Sequence, residues 1–246
     1  MTEKTITPAE WLEINSLLLS LGDETSINRY SSILLERMSR LVRYSCGHLF
    51  FHQTHKQIPL NYFDLEISEQ TFISYNSYYK GLDDIRRLTF NQASPIKSTR
   101  VMDYNRWKNT EYFTDFLAPN NFYFLCGVDI IYSNRLIATL TLIREKGEYD
   151  FDDKDLLILK NLSPHFAIHL ANFFGLKKYQ LWTDNFALTT RECDIVELLT
   201  QGATNKKIAD QLFISVNTVK KHLHNVYEKC EVNSKSQLIS RLSNNL

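Results

Sequence analysis

Asn217, Lys220, Lys221 and His224 recur at spacings of three and four, so a helix would carry them on one side. Val219, Leu223, Val226 and Tyr227 fall on the other side, the pattern of a helix that buries one face and projects the other. Between Lys206 and His224 stand Lys206, Lys207, Lys220 and Lys221 against a single acid, Asp210. A projecting cationic helix of this length fits the roughly 12 Å wide major groove of B-DNA. The competing reading is a solvated lysine face on a four-helix protein-interaction module.

Other residue groups have chemistry to offer. His165 and His169 are four apart on an expected helix and could share a metal, but no glutamate base or third ligand accompanies them, so they read as structural. His48 and His52 share one face of an expected strand, with His55 beyond, and read as ordinary polar or core positions. Tyr75, Tyr78 and Tyr79, with Trp107, Tyr112 and Phe113, line either an aromatic pocket or plain core; both readings stay open. There is no nucleophile elbow, phosphate-binding glycine loop or zinc-protease motif, so no catalytic residue, metal or cofactor is expected. Cys46, Cys126, Cys193 and Cys230 are far apart and read as reduced, buried thiols of a cytoplasmic protein.

These residues need a scaffold. A chain of 246 residues suits two ordinary domains or one large one. Its 43% hydrophobic and 23% charged residues describe a globular protein with a full core. Lys and Arg number 28, as do Asp and Glu, so any nucleic-acid surface must be a local concentration of charge. No apolar run approaches the roughly 20 residues of a membrane span, and the start MTEKTITPAEW lacks the pattern of a secretory signal.

Thr7-Pro8-Ala9-Glu10 opens a helix that Gly22 stops. A second helix is expected over 26–42, a strand over 47–53, and helices over 68–79 and 105–117. FYFLCGVDIIY and RLIATLTLI form a strand pair joined at Ser133-Asn134, and both faces of the second strand need cover. Asp152-Asp153-Lys154-Asp155 opens a long helix in which Pro164 should introduce a kink. Periodicity fails over 175–185, which places a linker at 179–186 between domains 1–178 and 187–246.

Past this seam come four capped helices. Thr189 and Glu192 form a capping box, and Gly202 ends the first helix. Thr204 caps a second helix containing the small Ala209. A turn of two or three residues, Phe213-Ile214, leads to Ser215, the cap of the third helix. Ser234-Lys235-Ser236-Gln237 reads as another capping box. So tight a turn, with Ala209 permitting a close crossing, is the build of a helix-turn-helix.

The run LTTRECDIVELLTQGATNKKIADQLFISVNTVKKHLHNVYEKCEVNSKSQLI resembles the LuxR-type helix-turn-helix domain without a gap. The departures are Lys207 for the usual Glu, Cys230 for Leu and Lys235 for Arg. The resemblance implies that Lys220, Lys221 and His224 reach base edges. It also implies that Asn205, Lys206, Ser215 and Thr218 lie near phosphates, with Asn217 beside them. The chemistry agrees, since Lys and His donate to guanine N7 and O6, while hydroxyls and amides at helix starts hold phosphates.

The run FDDKDLLILKNLSPHFAIHLANFF resembles the closing helix of GAF-like domains. The expected fold class is therefore α+β: an antiparallel sheet flanked by helices, GAF- or PAS-like, followed by the four-helix LuxR-type domain. Tyr75, Tyr78, Tyr79 and Asp83 resemble in part the lining of acyl-homoserine-lactone sensors, although the rest of that pattern is absent. With Trp107 they are the candidate ligand-pocket residues. The expected function is sequence-specific transcription regulation by a homodimer on double-stranded DNA. A small-molecule effector and RNA polymerase are further expected partners. The alternative keeps the DNA-binding end and makes the N-terminal domain a ligand-free scaffold; an enzyme fused to a DNA-binding domain is a third.

Overall fold

The computed structural model describes residues 5–52, 62–65, 68–89 and 91–243. His55 and Gln53, which entered the sequence reading, lie outside them. The chain divides into two compact units, the first ending at Phe173 and the second beginning at Phe174.

The first unit opens with α1 (Pro8–Gly22) and α2 (Ile27–Met38). Thr7 and Glu10 form a complete capping box at the start of α1. The α2 helix stops earlier than expected, in a turn where the Leu41 and Val42 amides both donate to the Met38 carbonyl. Strands β1 (Cys46–Phe51) and β2 (Tyr62–Leu65) follow, then α3 (Glu69–Ser77), a single 3₁₀ turn at Tyr79–Gly81, and α4 (Asp84–Thr89). Next come β3 (Ile96–Lys97), α5 (Ser98–Val101), α6 (Tyr104–Trp107) and a π-helical turn at Tyr112–Leu117. Strands β4 (Phe124–Tyr132) and β5 (Arg135–Arg144) precede the long helix α7 (Asp153–Phe173).

The sheet is antiparallel throughout, in the order β2-β1-β5-β4-β3. Ser133 and Asn134 both have positive φ, 48° and 60°, which closes the β4–β5 hairpin with the right-handed twist of its strands. On one face Leu49, Val128, Ile130, Leu140 and Leu142 are buried, and α2 and α7 pack against the sheet, with α1 on both helices. On the α7 side Leu159, Leu162, Phe166 and Leu170 are fully buried, the stripe expected at helical spacing. Asp152 caps α7 by accepting from the amides of Lys154 and Asp155, and the helix continues through Pro164.

The other sheet face is mixed: Thr139, Thr141 and Ile143 alternate with the core residues of β5. An aromatic cluster of Trp107, Tyr112, Phe113, Phe116 and Phe122 covers part of it. The single helix expected over 105–117 is broken here. Thr110 donates its hydroxyl to the Trp107 carbonyl and accepts the Phe113 amide, ending the first helix. The chain then widens, the Ala118 amide reaching back five residues to Phe113 at 2.8 Å.

The second unit contains α8 (Lys177–Phe186), α9 (Thr190–Thr200), α10 (Asn205–Leu212), α11 (Val216–Lys229) and α12 (Lys235–Ser243). The stretch expected as a linker is helical. Tyr179 and Trp182 are buried, and the Tyr179 hydroxyl and Lys178 ammonium both donate to Glu197 of α9. Only three ring residues at spacings of three and four mark this short amphipathic face, and polar neighbours hide it. Gly202, at φ +86°, closes α9, and the Ala203 amide returns to the Leu198 carbonyl. Gly202→Ala is expected to cost about 1 kcal/mol, because no L side chain accepts that backbone freely. Chemical denaturation measures it; an unchanged midpoint would contradict the account.

Candidate nucleic-acid interface and N-terminal cavity

Four caps set the register of the C-terminal helices. Thr189 and Glu192 form the expected box. Thr204 accepts from the Lys207 amide, so α10 keeps half a box despite lacking the usual glutamate. Ser215 accepts from the Thr218 amide at 3.0 Å and opens α11. At α12 the box is shifted: Gln237 donates its amide to Ser234, but its side chain accepts from Asn233 instead.

The turn between α10 and α11 is as short as expected. Phe213 takes φ 53°, and the Ile214 amide returns to the Ala209 carbonyl at 3.0 Å. Ile208, Ala209 and Leu212 bury one side of α10, as do Val219, Leu223 and Val226 on α11. A part-buried ion pair ties the bundle. Lys229 Nζ stands 2.6 Å from Glu192 Oε2 and 3.0 Å from the Ala187 carbonyl. Burial raises the Glu192 pKa, yet the Lys229 ammonium and Thr189 donors outweigh it and hold the carboxyl below its usual range.

The face opposite this core holds the expected DNA-facing residues. Asn217, Lys220, Lys221 and His224 are exposed along α11, with His224 3.5 Å from Glu228. Lys206 is exposed and Asn205 half-buried in the first turn of α10. Ser215 and Thr218 share a hydrogen bond at the start of α11. Among the described residues none of Lys206, Lys207, Lys220 and Lys221 has an acidic partner. The surface can therefore accept phosphates without first breaking ion pairs.

The N-terminal unit holds a cavity of about 730 Å³ between the mixed sheet face and α3, α4 and the π-helical turn. Tyr75 and Asp83 line it. Tyr78 is exposed and donates to Glu111, Tyr79 packs on Phe116, and Trp107 is buried in the aromatic cluster; none of the three is among the lining residues. Arg86, Asp129 and Thr139 line the cavity as well, residues without a motif to mark them. Arg86 Nη1 donates to Asp129 Oδ1 at 2.7 Å, and Thr139 donates to the same oxygen. An aspartate inside the apolar run FLCGVDIIY was the available signal, since a buried acid needs partners.

His48 and His52, read as ordinary positions, face this cavity. Burial first, and then Arg86, pushes each down to about 4. His52 Nε2 lies 2.9 Å from Thr139 Oγ1 and 3.4 Å from Arg86 Nη2, beside the Asp129 carboxylate that both of those groups reach. Because the folded values lie below the unfolded value of about 6.5, the unfolded chain takes up protons first on acidification. Their contribution to stability is complete above about pH 6.5 and is lost as pH falls towards 4. Melting temperature is expected to drop more between pH 7 and pH 5 in the wild type than in a His48→Gln, His52→Gln variant. Parallel curves would contradict this. Among the described residues no cluster of three or more metal-ligating side chains occurs, and no helix is long and apolar enough to cross a membrane.

An antiparallel sheet with helices on both faces, followed by a capped helix pair on a tight turn, defines an α+β unit joined to a helix-turn-helix DNA-binding unit. Residues 187–242 match the family described as "Bacterial regulatory proteins, luxR family". The spore germination protein GerE of Bacillus subtilis is 46% identical over 55 residues, covering 22% of this chain and 74% of that protein. The chain belongs to the luxR family of bacterial regulatory proteins. The monoamine regulon transcriptional regulator of Klebsiella aerogenes is 29% identical over 212 residues, 84% of this chain and 87% of the relative. Escherichia coli SdiA superposes with a TM-score of 0.47 at 15% identity, over 96% of this chain and 97% of that one. The chain is thus a LuxR-family transcriptional regulator.

Proposed function

We propose that this regulator is a cytoplasmic homodimer whose N-terminal domain, residues 1–178, binds a small molecule and thereby alters the DNA affinity of residues 187–246. Residues 179–186, expected to link the two, lie in α8 and pack on α9. Lys220, Lys221 and His224 read bases, while Asn205, Lys206, Ser215, Asn217 and Thr218 hold the backbone. One short recognition helix reads few base pairs, so two-fold pairing doubles the contacts. RNA polymerase is the downstream partner.

The observation that carries the sensing role is the cavity of about 730 Å³, a volume in the range of small-molecule sites. A ligand-free scaffold calls for a filled core instead. The Klebsiella relative matches most of the chain, which supports a shared two-part build. A bound molecule shifts the balance only through different affinities for two states of the protein. Native mass spectrometry of the full chain is expected to find a retained molecule, and removing it by unfolding and refolding is expected to change DNA affinity. Identical affinity before and after stripping would remove the sensing role.

A further inference from the structure

The cavity carries an imbalance of buried charge. Two carboxylates, Asp83 and Asp129, line it together with one part-buried guanidinium, Arg86. Asp129 is fully engaged: Arg86 and Thr139 donate to Oδ1, and the amides of Asn91 and Gln92 donate to Oδ2. Arg86 is therefore committed to Asp129 at 2.7 Å. Asp83, 9% exposed, receives only neutral donors: the Arg86 amide at 2.9 Å and the hydroxyls of Tyr75 and Tyr112 at 3.0 and 3.2 Å. The two histidines are neutral near pH 7 and add no positive charge. Lys80 and Arg87 also reach the lining but are exposed, Lys80 lying 6.0 Å over the Phe50 ring and Arg87 paired with Asp84 at 2.6 Å.

The buried floor thus holds two acids and one cation. Aromatic rings stand around the unbalanced acid: Tyr112 stacks on Phe116 at 5.6 Å, and Tyr75 lies 5.8 Å from the same ring. The two tyrosines meet Asp83 through their hydroxyls, and an organic ammonium there would add the one charge-assisted hydrogen bond that the carboxylate lacks. Burial holds the Asp83 carboxyl above its ordinary range against the pull of its three hydrogen bonds and of Arg86; an ammonium would favour its charged form, an anion would oppose it, and a neutral molecule would do neither.

We propose that the cavity takes a small organic cation, a primary amine on an apolar or aromatic body, with its ammonium on Asp83 beside the hydroxyls of Tyr75 and Tyr112. The proposal rests on the reading of this cavity as an effector site.

Calorimetry on the full chain tests it with three probes of similar shape: phenethylamine, phenethyl alcohol and hydrocinnamate. The amine is expected to bind about tenfold or more tighter than the alcohol, and the acid not at all. Asp83→Asn keeps an acceptor for the Arg86 amide and is expected to bind amine and alcohol alike. Should that variant fail to fold, Tyr112→Phe, which leaves the carboxylate in place, is expected to retain the preference for amine. Loss of the preference in Tyr112→Phe, its survival in folded Asp83→Asn, or no binding of any probe by the wild type overturns the ammonium site. Equal affinity for amine and alcohol in the wild type also overturns it, but leaves the sensing role standing. Amine binding without any change in DNA affinity retains the site and removes the sensing role.

Discussion

Lys229→Ala is expected to destabilise the C-terminal unit by about 1–3 kcal/mol, between the worth of a surface pair and the cost of breaking a fully buried one. Glu192, its partner, has a side chain only 4% exposed, so its charge would stay in a poor solvent. Lys229 keeps a third of its side chain in water, which places the estimate below the range for fully buried pairs. The loss is not confined to the pair. Lys229 also donates to the Ala187 carbonyl, and Glu192 is the reciprocal member of the Thr189 capping box. Adding Glu192→Gln to Lys229→Ala is expected to recover part of the loss, because it removes the stranded charge while keeping an acceptor for the cap. The pH dependence has a definite sign. Glu192 titrates below its ordinary value, so its contribution is complete above the unfolded value of about 4.3 and is lost as pH falls below it. Urea denaturation of the variants measures the effect; a loss below about 0.5 kcal/mol would contradict the pairing.

The second large effect concerns function. Lys220→Ala and Lys221→Ala are each expected to cost about 1–3 kcal/mol of binding on the cognate sequence if the ammonium reaches a base edge. That corresponds to roughly 5- to 150-fold in affinity per residue. The folded state should not change, because both side chains are exposed and, among the described residues, have no acidic partner. Fluorescence anisotropy on cognate and scrambled duplexes, with melting curves of each variant, separates lost contact from lost structure. A loss below twofold on the cognate duplex would remove these lysines from base reading.

What the sequence disclosed follows from the range of the interactions involved. Caps, tight turns and the inner face of α11 are local, so Thr189, Thr204, Ser215 and Gly202 could be read directly. The Ser133-Asn134 hairpin was legible for the same reason. Tertiary contacts were not. Arg86 and Asp129 are 43 residues apart and meet only when α4 crosses the sheet. The π-helical turn rests on hydroxyl bonds from Thr110 that no periodicity records. Helix α8 was hidden because a single short face, Tyr179 and Trp182, is buried among polar neighbours. The cavity was legible in part, from the mixed face of β5 and from Tyr75, Asp83 and Tyr112, which line it; Tyr78, Tyr79 and Trp107 do not, because their spacing alone does not say which way they pack.

The claim on which everything else depends is that α11 reads bases while the start of α10 holds the backbone. DNA fragments retained by the purified protein supply the operator. Affinity is then measured against salt on operator and unrelated DNA for the wild type, Lys206→Ala, Lys220→Ala and Lys221→Ala. Lys206→Ala is expected to weaken both DNAs alike and to reduce the salt slope by about one. The two α11 variants are expected to lose most on the operator and so to narrow the gap between the two DNAs. Equal losses on every sequence for all three variants would contradict the claim.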